Sequence, residues 1–216
     1  MSKVAIPGGF FDSDNHVYTD EKGMRIASVT QTLAGLGMVN YDRVREEVLE
    51  RKSAIGVATH AAIQYLCEGT LDWDSVAEEA MGYVVAGETW MREQKFTSLS
   101  QEGQGIAEIS GMKFGFQYDH LGEMDYKGRR RKVILDLKTC VAASPTWRLQ
   151  TAAYALAAPR LPPGERYLRV ILQLKADGSF RPHYFEDRSD EQAWPHVLFT
   201  YILGLNMGLY TLEAAA

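Results

Sequence analysis

Phe114-Gly115-Phe116-Gln117-Tyr118-Asp119 and Val133-Ile134-Leu135-Asp136-Leu137-Lys138 are the segments on which the reading of this chain turns. In the first, aromatic residues at 114, 116 and 118 alternate with Gly115, Gln117 and Asp119. In the second, Val133, Leu135 and Leu137 alternate with Ile134, Asp136 and Lys138. A period of two marks a strand, whose successive side chains point to opposite faces. Tyr126-Lys127-Gly128-Arg129-Arg130-Arg131-Lys132 supplies a turn between them, so the simplest pairing is an antiparallel hairpin.

Upstream the period is helical. Ser28 is an N-cap with Gln31 completing a capping box, and Gly35 and Gly37 end a short helix. From Tyr41 to about Cys67, Val44, Val48, Ile55, Ala58, Ala62 and Leu66 recur at helical spacing. A third helix starts at Asp74 or Ser75 and runs to about Gln94. The first 27 residues read as loops or a short hairpin around Glu21-Lys22-Gly23. Downstream, Pro145 to about Ala158 is helical, Asp177-Gly178 joins two strands over 167–174 and 180–185, and a last helix covers about 190–207. The order predicts an α/β fold: a mixed central β-sheet flanked by helices, with an N-terminal helical extension. We expect one domain over 1–216, with 1–95 mainly helical and 96–216 carrying the sheet, a following helix, and a closing hairpin and helix.

The chain has 216 residues, 46% hydrophobic and 24% charged, which excludes disordered and fibrous classes. Cys67 and Cys140 form no CxxC pair, which disfavours an iron-sulfur cluster and fits a reducing cytoplasm. No stretch approaches the roughly 18 apolar residues of a membrane span. The net charge of -5 speaks against coating nucleic acid by bulk electrostatics. Excess acid can, however, belong to a metal site that reverses the local sign once loaded.

Asp136 and Lys138, two apart, share a strand face. Hairpin pairing can bring Asp119 beside Asp136; Asp125 competes for that place, although it lies near the turn, where Asp is common for local reasons. Paired carboxylates either raise a pKa or bind a divalent cation, and oxygen ligands suit Mg²⁺ or Mn²⁺. Beside them, Lys138 is placed to orient or activate a water, or to offset charge on a phosphate. An isolated Asp-x-Lys is equally a strand-end ion pair.

Asp119, then Asp136-Leu137-Lys138, then Gln150-Thr-Ala-Ala-Tyr154, with Gly56-Val-Ala-Thr-His60 upstream, resembles the PD-(D/E)xK nuclease superfamily, restriction-endonuclease-like in fold. The Gln150/Tyr154 helix makes it similar to the RecB-like and phage (lambda-type) exonuclease branch. The resemblance implies that Asp119, Asp136 and His60 ligate metal, helped by the Leu137 backbone carbonyl, and that Lys138 is the catalytic lysine. Gln150 and Tyr154 would brace the lysine or contact the DNA strand, and Glu102 matches an acidic position that some members place before the first aspartate. Without that context His60, among Ala58, Ala61, Ala62 and Ile63, reads as a packed helix residue. Gln64 stands where an acidic residue is frequent in the branch, which puts a second metal in doubt.

Arg129, Arg130, Arg131 and Lys132 form a dense basic run, either a solvated turn or a phosphate contact beside the catalytic strand. Arg51 and Lys52 precede the histidine helix and are candidates to grip a terminal phosphate. No GxxxxGK[ST] is present, so no ATP-driven activity is expected. The expectation is a Mg²⁺- or Mn²⁺-dependent deoxyribonuclease, an exonuclease of phage or prophage recombination or repair, acting on linear duplex or single-stranded DNA. A single-strand annealing protein and self-association are further partners, with no membrane role. Two alternatives stand beside it: a structure-specific or restriction-like endonuclease with the same site, and a catalytically silent nucleic-acid or protein-binding module.

Overall fold

The computed structural model describes residues 3–39 and 46–212; the start of the helix expected from Tyr41, with Val44, lies outside them. The alternating segments form the middle of a five-stranded sheet in the order β5 (Thr97–Ile109), β6 (Met112–Tyr126), β7 (Arg129–Lys138), β8 (Leu168–Leu174) and β9 (Phe180–Phe185). All neighbours are antiparallel except β7 and β8, which run parallel because α4 (Trp147–Ala157) crosses between them. The sheet is thus mixed and helix-flanked, as the sequence pattern predicts. Val133, Leu135 and Leu137 pack with α2 (Glu46–Glu68) and α3 (Glu78–Glu93) on one face. Ile134 packs on the other with α1 (Val29–Gly35), α4 and α5 (Ser189–Asn206). β8 is buried along its whole length, as a central parallel strand should be.

Ser28 caps α1 in a full capping box: Gln31 N–H donates to Ser28 Oγ at 3.1 Å, and Ser28 N–H to Gln31 Oε1 at 2.9 Å. Three local expectations are corrected. The opening residues form a four-stranded sheet, β1 (Lys3–Ile6), β2 (Gly9–Asp12), β3 (Val17–Asp20) and β4 (Arg25–Ile26), of which the expected hairpin at 21–23 is only the last turn. That sheet docks on β5 and β6 through Ile106 N–H to Pro7 O and Gly115 N–H to Ala27 O. Gly115 permits the approach, since a Cβ there would sit 2.5 Å from the Tyr18 ring. The third helix begins at Glu78 because Val76 is extended, after a 3-10 turn at Trp73–Ser75 capped by Asp72.

The third correction concerns the basic run. Lys127 and Gly128 both take positive φ, so a two-residue turn closes the hairpin and Arg129–Lys132 lie within β7. There Lys132 faces Glu123 and Arg130 faces Asp125 across the ladder, both as ion pairs.

On β8, Arg169 is buried with its guanidinium 2.9 Å from Asp190 Oδ2 and 2.7 Å from the Arg148 carbonyl, tying α4 to α5. Removing Asp190 takes away the closest counter-charge of a buried cation and leaves, among the described residues, only Glu191, at 3.5 Å. Asp190→Ala should cost about 3–5 kcal/mol of stability, read by urea unfolding, with Asp190→Asn clearly milder; equal, small losses for both would contradict the anchoring role.

Candidate active site

Strand register sets three carboxylates in one row. Gln101↔His120 and Gly103↔Tyr118 place Glu102 opposite Asp119, and His120↔Leu135, continued by one residue, places Asp119 opposite Asp136. A register shift between Ser98 and Ser100 sets this phase on β5. Glu102 itself has φ +49°, the left-handed region that a side chain other than glycine enters at a cost. The β6–β7 backbone ladder stops at His120↔Leu135. Beyond it the Asp119 carboxylate takes over, accepting the Leu137 N–H at 2.6 Å on Oδ2. In a strand the carbonyl of a residue faces the same neighbour as its N–H, so the Leu137 carbonyl opens toward β6 as well.

Two helices complete the cluster. Gly56 of α2 lies against Thr139, just past β7, and one turn later His60 puts Nδ1 3.3 Å from Asp119 Oδ1. One ligand atom each from His60, Glu102 and Asp119 lies within 4.8 Å of the others. Lys138 Nζ is 2.6 Å from the buried Asp136 Oδ2 as an ion pair. From α4, Gln150 Nε2 donates to Tyr154 Oη at 2.9 Å and approaches Asp136 Oδ1 at 3.5 Å.

The charges are strongly coupled. Burial would lower the His60 pKa, but the Asp119 carboxylate overrides it and raises it to about 9. Burial would raise Asp119, but His60 and then Lys138, with the Leu137 N–H, hold it below the usual carboxylate range. Asp136 goes the other way: burial raises it, Lys138 opposes, and the Asp119 charge adds to the rise. Lys138 is lowered by burial but raised on balance by Asp136 and Asp119, so it stays an ammonium at neutral pH. Burial, helped by the Asp119 charge and opposed by the Gln117 hydrogen bond, raises Glu102.

The structure therefore gathers His60, Glu102, Asp119, Asp136, Leu137 and Lys138 at the carboxyl end of β7, and Glu102 stands nearer the centre than the sequence indicated. Asp125 does not join them; it pairs with Lys95 and Arg130 at the far end of the hairpin. Gln150 and Tyr154 are buried behind Asp136, and the Gln150 amide is directed at that aspartate. The basic run is not beside the site either: Lys132 is six strand residues, about 20 Å, from Lys138, and Arg129 further still. Arg130 and Lys132 spend their charge on Glu123 and Asp125, and Arg131 reaches the Arg166 carbonyl. Arg51 is paired with Glu79 at 2.6 Å on the exposed start of α2, next to Lys52, two turns of helix before His60. Gln117 is the residue the sequence reading passed over: it donates to Glu102 Oε2 at 2.6 Å. Its position two before Asp119, on the same strand face, was the available signal.

Carboxylates with one imidazole in so small a space suit a hard divalent cation, and the repulsion between Asp119 and Asp136 fits one as well. No family model matches the chain. No curated protein matches it either. Among solved structures, "Putative exonuclease" from Eubacterium rectale is similar at 13% identity and a TM-score of 0.43, over 88% of this chain and 77% of that one. No helix among the described residues is long and apolar enough to cross a membrane.

The His60 shift has a signed consequence. A histidine raised from 6.5 to about 9 contributes stability that is complete below pH 6.5 and lost as pH rises through 9. In EDTA, the melting temperature of the wild type relative to His60→Gln should therefore fall across that window; parallel profiles would contradict the His60–Asp119 pairing.

Proposed function

We propose that the chain is a divalent-metal-dependent deoxyribonuclease that hydrolyses phosphodiester bonds, acting as an exonuclease in recombination or repair of phage or prophage type. The observation that carries the reading is the convergence of Glu102, Asp119 and Asp136 from three adjacent strands with His60 and Lys138 at the end of β7. His60, Glu102, Asp119 and Asp136 would hold the metal, with the Leu137 carbonyl. A bound Mg²⁺ or Mn²⁺ would supply Lewis acidity toward a phosphoryl oxygen and lower the pKa of a water.

The remaining chemistry belongs to the chain. Lys138, kept protonated by its two aspartates, cannot act as the base; it donates a hydrogen bond to the attacking water or to a non-bridging phosphate oxygen, and offsets charge that grows there. Asp136 holds the ammonium in place, and Gln150, fixed by Tyr154, limits the rotation of the Asp136 carboxylate. Water forms the new bond to phosphorus as the bond to the sugar oxygen breaks, without a covalent enzyme intermediate; the proton the water loses passes to solvent, and the departing sugar oxygen takes one up from solvent. DNA, as linear duplex or single strand, is the partner this chemistry fits.

Digestion of end-labelled linear and covalently closed circular DNA with Mg²⁺, Mn²⁺ or EDTA tests the reading. Linear DNA should be degraded from its ends with either ion, circles spared and EDTA abolish cleavage, while Lys138→Ala slows the reaction about 10²–10³-fold. Full metal-dependent activity in Lys138→Ala would overturn the mechanism, and efficient nicking of circles would make the enzyme an endonuclease.

A further inference from the structure

Outside the ligand cluster a chain of hydrogen bonds links the N-terminal sheet to Glu102, with Gln104 donating outward in both directions. Tyr18, buried on β3, donates its hydroxyl proton to the Phe116 carbonyl at 3.2 Å. Its oxygen accepts from Gln104 Nε2 at 3.2 Å, and the same amide nitrogen donates to Gln117 Oε1, also at 3.2 Å. Both protons of the Gln104 amide are thereby used, and the Gln117 carbonyl oxygen must face Gln104. Nε2 of Gln117 is then left facing Glu102 Oε2, 2.6 Å away.

The alternative flip of Gln117 would set its carbonyl oxygen against the carboxylate and its amino group against the Gln104 donor, a mismatch at both ends. The orientation is consequently fixed from both ends, by the Glu102 carboxylate and by Gln104, whose amide is itself held by Tyr18. Glu102 needs such a hold, because it is solvent-exposed and sits in a left-handed conformation on an otherwise extended strand.

We propose that Gln117, oriented by Gln104 and Tyr18, is a positioning residue that aims the Glu102 carboxylate at the metal, so that the N-terminal sheet takes part in metal affinity. This rests on the metal-site reading given above. A hydrogen bond to a ligating carboxylate fixes which oxygen is free to coordinate, and loss of such a partner typically lowers metal affinity about 10–100-fold.

Mn²⁺ binding measured by calorimetry on the full chain, without DNA, tests it. Gln117→Met, which keeps the length and removes the donor, should lower Mn²⁺ affinity about 10–100-fold while the melting temperature in EDTA stays at the wild-type value. In a Glu102→Gln background the same substitution should have no further effect, since its action passes through that carboxylate. Unchanged affinity in Gln117→Met, or an equal loss in the Glu102→Gln background, would overturn the proposal. Should Gln117→Met fail to fold, Gln104→Met is measured instead, and wild-type affinity there overturns it equally. A wild-type chain that binds no Mn²⁺ refutes the metal-site reading itself, a separate outcome.

Discussion

Three carboxylates in one row of adjacent strands are the constraint around which the rest of the structure is arranged. Like charges directly opposite in a sheet repel, and at about 5 Å in an effective dielectric of about 20 each pair costs on the order of 3 kcal/mol. No sheet would carry Glu102, Asp119 and Asp136 side by side on neighbouring strands without compensation. Compensation arrives from three directions: the His60 imidazole from α2, the Lys138 ammonium from β7 itself, and neutral donors in the Leu137 N–H, Gln117 and Gln150. Incomplete compensation is visible in the Asp136 carboxyl, raised by burial and by the charge of Asp119. A divalent cation would relieve what the protein leaves.

The packing serves that row. Apolar residues at 133, 135 and 137 seat β7 against α2 and α3, while α4, held to α5 by the buried Arg169–Asp190 pair, packs on the other face and brings Gln150 up to Asp136. Hydrophobic burial thus fixes the sheet to within the tolerance that charge pairing at 2.6–3.3 Å demands, and the charges in turn cluster where the β6–β7 ladder ends.

Much of this was legible in the sequence. Alternation at 114–119 and 133–138, the Ser28 capping box and the Asp177-Gly178 turn are local signals that the folded chain obeys. The weak stretches were those where position depends on distant partners. Residues 3–26 lack long alternation, and their four short strands exist because Tyr18 packs on Gly115 and Pro7 bonds to Ile106. Glu102 has no local mark beyond the glycine after it; its place follows from a register shift three residues earlier. The basic run at 129–132 looked like a turn because a two-residue turn at Lys127-Gly128 is hard to bound from sequence, and its partners Glu123 and Asp125 lie on the other strand. That pairing also sharpens the net charge of -5: two of the four cations in the densest positive stretch, Arg130 and Lys132, are offset locally by Glu123 and Asp125.

Anomalous diffraction from crystals soaked in Mn²⁺ addresses the central claim most directly. The account predicts a peak bounded by His60, Glu102, Asp119 and Asp136 at ordinary metal–ligand distances of about 2.0–2.3 Å, absent in Asp119→Asn. Manganese found only at other positions, or a peak unaffected by that substitution, would contradict it.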